Sequence, residues 1–199
     1  MTQRRDRDEH GLMNMGIPPS ADGRVFDWLG TDTNGTPYHL HPLNLVWSDA
    51  GVEHDLGVFR SVAQRLAADT SYWSAIIRDT NWRHSLVGCV CLLVSQHRGC
   101  FEDVWFRFQA GSMVIPQLAV TMGLLHPPEA RAAFELVLDT PRLRDHPQRR
   151  VSAERALVCM GMRPESEFTV DGLSIIDRDY AVLADRLVQQ QWAFWSNRV

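Results

Sequence analysis

Two segments of this 199-residue chain carry the same local pattern, Arg78-Asp79-x-x-x-Arg83 and Arg144-Asp145-x-x-x-Arg149. Each runs directly into a strongly apolar segment with helical spacing, and a third such segment begins between them at Met113. Internal repetition constrains architecture more than any single residue does, because each unit must bury its apolar face against the next. The expectation is a stack of similar helical units.

The periodicity supplies the elements. Leu56, Phe59, Ala63 and Leu66 form one helical stripe, widened by Val58 and Val62. A short segment over 72–78 follows, then a turn at 79–81. The run 86–94 is apolar nearly all round, as a helix packed on several sides must be. Residues 101–108 are aromatic-rich and read as helix. Ser112 is a candidate cap for a helix over 113–125, with Pro116 in its first turn, where a missing N–H costs little. His126-Pro127-Pro128 stops that helix and Glu129 opens another, with Ala130, Phe134, Val137 and Leu138 on one side. Ala153, Ala156, Leu157 and Met160 repeat the spacing after an Arg- and Pro-rich loop over 140–147. A last helix from about Asp177 carries Tyr180, Leu183 and Leu187 and ends in Trp192, Phe194 and Trp195. Two hairpins are also expected. One places Val25, Phe26 and Trp28 against Tyr38 and Leu40 around Asn34-Gly35; the other turns at Asp171-Gly172.

The three inner helices recur at about the 33-residue spacing of short helical repeats. With that spacing, the chain resembles HEAT-like repeat proteins, in which an Asp before the second helix and an Arg at its start link neighbouring units. Asp79 with Arg83, and Asp145 with Arg149, stand where that pattern puts them; the middle unit has Gly111-Ser112-Met113 instead. The resemblance covers about residues 56–162. It implies an all-α fold of stacked helical hairpins, either a HEAT-like α-solenoid or an irregular helical bundle, to which the residues around Asn34-Gly35 add a small N-terminal β-hairpin or irregular element. The expected organisation is an irregular arm over 1–22 and a single helical domain over 23–199. Within that domain, 55–162 is repeat-like and 177–197 is a capping helix.

All twenty basic residues are arginine; the chain has no lysine. That removes the P-loop and protein-kinase sites, which need a lysine on the nucleotide phosphates. Lysine Schiff-base chemistry goes with them. No Gly-x-Ser-x-Gly, Gly-x-Gly-x-x-Gly or His-Glu-x-x-His motif occurs, so neither a nucleophile nor a cofactor is expected. The formal charge of −4 disfavours general affinity for nucleic acid. Cys89-x-Cys91 lacks metal or redox spacing, and Cys89, Cys91 and Cys159 read as reduced small hydrophobes. The charged first ten residues lead into no apolar signal core, and no window reaches the ~20 apolar residues of a membrane helix. The expected location is cytoplasmic.

Three features are candidate sites. His39-x-His41, with His54 and Asp55, has the residue types of a metal set, but the spacing alone is weak and a solvent-facing pair beside Pro42 is the plainer reading. Asp55 itself reads as a helix cap. Arg142, Arg144, Arg149, Arg150 and Arg155 cluster where a helix begins, and guanidinium forks there suit an acidic partner or a phosphate. Asp139, Asp145 and Glu154 offer the competing reading of local ion pairs. Seven tryptophans include Trp82, next to Arg83, and the terminal Trp192 and Trp195, which either contact a partner or seal the end of the stack. These observations fit a non-catalytic protein-binding module of adaptor, inhibitor or immunity type, with an unknown protein partner. The alternative is a helical-repeat protein or enzyme that uses the arginine cluster on nucleic acid or phosphate. A third is a homo-oligomer joined through Trp192 and Trp195.

Overall fold

A computed structural model describes residues 24–68, 71–165 and 173–199. The arm over 1–22 and the Asp171-Gly172 turn lie outside the described residues. Within them the chain forms ten α-helices: α1 Arg24–Leu29, α2 Val52–Ala67, α3 Ser71–Arg78, α4 Trp82–Ser95, α5 Phe101–Ala110, α6 Ile115–Leu125, α7 Pro127–Asp139, α8 Pro141–Arg144, α9 Pro147–Cys159 and α10 Ile175–Trp195. The all-α class is as expected. No helix among the described residues is long and apolar enough to cross a membrane.

The expected N-terminal hairpin is corrected. Its turn exists, with Gly35 at φ +78, but its flanks are the helix α1 and a 3-10 turn at Tyr38–Leu40 in place of strands, with one isolated bridge between Thr31 and Pro37. A short apolar run does not distinguish strand from helix by itself. Here burial decides, because Val25 and Leu29 stand four apart and both enter the core. Asp32 folds the intervening loop, its Oδ1 accepting from the Asn34 and Thr36 amides, each at 2.8 Å.

One hydrophobic cluster runs from Val25 to Trp195. At its centre lie α4 and α6. From Ser85 to Leu93 every residue of α4 is buried, and so is all of α6 except Leu124. Helices α4, α5, α7, α9 and α10 all pack on α6. The ends of the outer helices are closed by side chains from later elements. Ser85 Oγ donates to the Ile77 and Asp79 carbonyls, and Arg107 donates to the Thr80 carbonyl and the Ser85 hydroxyl. These are carbonyls that a helix C-terminus leaves without partners of its own.

Close helix packing fixes two glycines in different ways. A Cβ on Gly123 in α6 would lie 2.7 Å from the Trp192 ring of α10, whereas one on Gly57 in α2 would meet nothing within 4 Å. Gly123→Ala should therefore destabilise by about 1–3 kcal/mol through overpacking. Gly57→Ala should stabilise by about 0.5–1 kcal/mol through helix propensity. Urea unfolding of the two variants should give shifts of opposite sign; equal signs would show that α10 does not seat on Gly123.

Candidate functional site

The N-terminal histidines form a network around Asp55. This carboxylate is fully buried in the first turn of α2 and accepts from His41 Nδ1 at 2.7 Å, from the Ser48 amide at 2.8 Å and from the Ser48 hydroxyl. The other His41 nitrogen lies 3.4 Å from Asp32 Oδ2. His41 is thus buried between two carboxylates, in contrast to the solvent-facing pair expected from His39-x-His41. The expectation that Asp55 caps α2 is also corrected: Gly51 holds that position, and Asp55 binds loop residues instead. The Ser48 hydroxyl donates to the carboxylate and has no histidine to take its proton, so the trio is not a nucleophile with its base. Among the described residues, no three His, Cys, Asp or Glu side chains are grouped to hold a metal.

Three of the four thiols, Cys89, Cys91 and Cys100, are buried, and Cys159 is half-buried. Burial pushes Cys89 up to about 12 and Cys100 up to about 11, and raises Cys91 and Cys159. A buried thiol held protonated is no nucleophile at neutral pH.

The arginine cluster lies at the corner where α8 meets α9. Pro141 and Pro147 begin the two helices, and His146 caps α9, its Nδ1 accepting from the Arg149 amide at 3.4 Å. Burial, then the nearby Arg149, lowers the His146 pKa. That favours the neutral ring an acceptor nitrogen requires. Arg149 itself is buried and faces inward. It donates to the carbonyls of Phe108 at 3.2 Å, Gln109 at 2.7 Å and Leu143 at 3.3 Å. The first two belong to the last turn of α5, which ends at Gly111 with φ +87. Arg149 therefore caps a helix about forty residues earlier in the chain, and a cation suits that negative dipole end. Asp79 likewise binds His84, at 3.0 Å, while Arg83 lies over the Trp82 ring at 4.5 Å. Arg83 and Arg149 thus pair with groups other than the aspartates four residues before them.

Arg142 and Arg144 are exposed. Arg142 borders a groove of about 700 Å³ between the α8–α9 corner and α10. Arg144 and Arg150 border a neighbouring cavity of about 290 Å³, which shares Asp145 and Pro147 with the groove. Arg155 is drawn away by Asp185 of α10, at 2.5 Å. That pair, with Val151 clustered against Ala181 and Ala184, shows that α9 and α10 run side by side in the same sense. Both helix N-termini therefore lie at the groove end.

The far wall of the groove is formed by Tyr180, Leu183 and Leu187, the residues that the expected last helix carries. Tyr180 is 52 % exposed, Leu183 half-buried and Leu187 buried, while Ile176, one turn earlier on the same helix, is 67 % exposed outside the groove lining. Across from it Met113 is 67 % exposed on the turn before α6. The remaining candidates stand elsewhere. Trp82 and Arg83 do not border this groove. Trp195 is buried, its Nε1 donating to Gln191 at 3.0 Å, and Trp192 lies over Gly123. Trp192 seats α10 against α6, and Trp195 packs into the core.

No protein-family model matches the chain, and no curated protein or solved structure is detectably similar to it.

Proposed function

We propose that this chain is a non-catalytic protein-binding module, of adaptor, inhibitor or immunity type, whose partner docks in the groove between the α8–α9 corner and α10. The HEAT-like plan belongs to the same proposal and rests on the Arg-Asp corners before α4 and α9. The observation that carries the reading is the apolar stripe of α10 standing open to solvent beside exposed arginines. Clustered exposed apolar side chains with a polar rim mark interaction sites, and an aromatic flanked by arginine is a common hot-spot composition. The phosphate or nucleic-acid alternative has less support. Arg149 is committed to carbonyls, the groove wall is largely apolar, and the chain carries a net −4. Self-association through Trp192 and Trp195 is disfavoured by their inward packing.

Hydrogen exchange on the protein with its natural partner should show protection concentrated over residues 142–149 and 174–187. Tyr180→Glu should weaken that complex about tenfold or more, by analogy with exposed aromatic anchors. Because Tyr180 is half exposed, the variant should unfold close to wild type. Protection confined to another face would refute the proposed site.

A further inference from the structure

We infer that the occupant of this groove is an acidic amphipathic α-helix, lying along α10 with its apolar side chains between Tyr180, Leu183 and Met113 and its carboxylates toward Arg142 and Arg144. The inference rests on the protein-binding reading and goes further by stating the chemistry of the partner.

Three observations carry it. Ile176, Tyr180, Leu183 and Leu187 are spaced by four, three and four, the spacing with which one helix meets another along a seam. That stripe extends about 16 Å, or three turns, at the helical rise. Second, the described residues contain no strand, only one isolated bridge, so they offer no sheet edge for an extended peptide to join. A strand laid here would leave its amides and carbonyls unpaired against apolar side chains, whereas a helix satisfies its own.

Third, the two cavities taken together are net positive: the groove itself sets Arg142 and Arg149 against Asp145 and Asp177, and the excess comes from Arg144 and Arg150 beside it. The walls of the two cavities carry Arg142, Arg144, Arg149 and Arg150 against Asp145 and Asp177, in a chain whose net charge is −4. The N-termini of α9 and α10 add positive dipole ends at the same place. A second copy of this chain would bring arginine against arginine across a twofold contact, which opposes self-docking. An acidic helix meets the same surface with opposite charge.

The test uses the whole chain and a fluorescein-labelled synthetic peptide of about 20 residues, long enough to be helical, with leucines at heptad spacing and glutamates and alanines elsewhere. Its counterparts carry lysine for glutamate, or proline in the middle. Anisotropy titration should show the acidic helix binding about tenfold or more tighter than the lysine version, with the advantage shrinking at high salt. The proline peptide should lose most of the binding. The double variant Arg142→Glu and Arg144→Glu, both at exposed positions, should abolish the acidic preference while circular dichroism remains that of wild type.

Equal binding of the acidic and lysine peptides, undiminished binding of the proline peptide, or no binding at all would each overturn the inference. So would a concentration-dependent dimer that Tyr180→Glu converts to monomer, since the occupant would then be a second copy. The binding-module reading fails separately. If the natural partner protects the groove while the acidic helix does not bind, only the helix inference falls. If the natural partner protects a different face, the site itself falls.

Discussion

Asp55→Ala is expected to destabilise the protein by about 3–5 kcal/mol, because it leaves several buried donors to a carboxylate without their acceptor. Asp55 is fully buried and receives three donors, the Ser48 amide, the Ser48 hydroxyl and His41 Nδ1. Alanine leaves all three without this acceptor and takes from His41 the closer of its two carboxylates. The loss also removes the tie from α2 to the loop at His41 and Ser48, while Gln117 and Gln191 still hold that loop at Leu43 and Pro42. Ser48→Ala is the control. It removes one donor and leaves Asp55 its contacts with the Ser48 amide and His41, so it should cost only about 1 kcal/mol. Urea unfolding that places the two variants together would show that Asp55 is not the hub.

The same carboxylate predicts a pH dependence. Burial alone would raise its pKa, but the Ser48 hydroxyl and amide, followed by His41, outweigh that effect and hold it below the ordinary value. A folded value beneath the unfolded one contributes stability that is present above the unfolded value, about 4, and is lost as pH falls through the folded value. The melting temperature should therefore decline more steeply below about pH 4 in wild type than in Asp55→Ala.

Arg149→Met should cost about 3 kcal/mol, because the aliphatic stem is replaced while three carbonyls lose a charged donor. For a chain of this size that corresponds to a fall in melting temperature of about 6–12 °C. Arg149→Lys should recover less than half of the loss, since one ammonium cannot reproduce a planar fork reaching Phe108, Gln109 and Leu143. The residue shapes the groove by fastening the start of α9 to the end of α5. Its substitution therefore reports on stability, while Arg142 and Arg144 report on binding.

Much of the fold can be read from residue spacing. Leu56, Phe59, Ala63 and Leu66 are all buried along α2, and Ala130, Phe134 and Val137 along α7. The near-continuous apolar run in α4 correctly marks a helix enclosed on several sides. Boundaries set by caps were less visible. Helix α2 begins at Val52 and α10 at Ile175, ahead of the first periodic residues, and the Pro-rich loop contains α8. Val25, Phe26 and Trp28 were ambiguous because so short a run fits either period.

The site was half legible. Arg142 and Arg144 stand out in the sequence as a cluster at a helix start, and they remain exposed. Arg149 looks identical in sequence, and only the arrival of the α5 C-terminus turns it inward. Conversely, Tyr180, Leu183 and Leu187 carry the periodicity of a core face. Periodicity reports that a face is apolar, but whether anything covers it depends on how α9 and α10 diverge at their N-termini. His41 and Asp55 are fourteen residues apart and meet only through the fold.

The most direct test of the proposed function is native mass spectrometry of wild type and Tyr180→Glu, each isolated gently from the protein's own cells. The account predicts a stoichiometric second protein on the wild-type chain that is absent or sharply depleted on the variant, with both chains folded. A lone wild-type chain, or a partner retained equally by Tyr180→Glu, would contradict it.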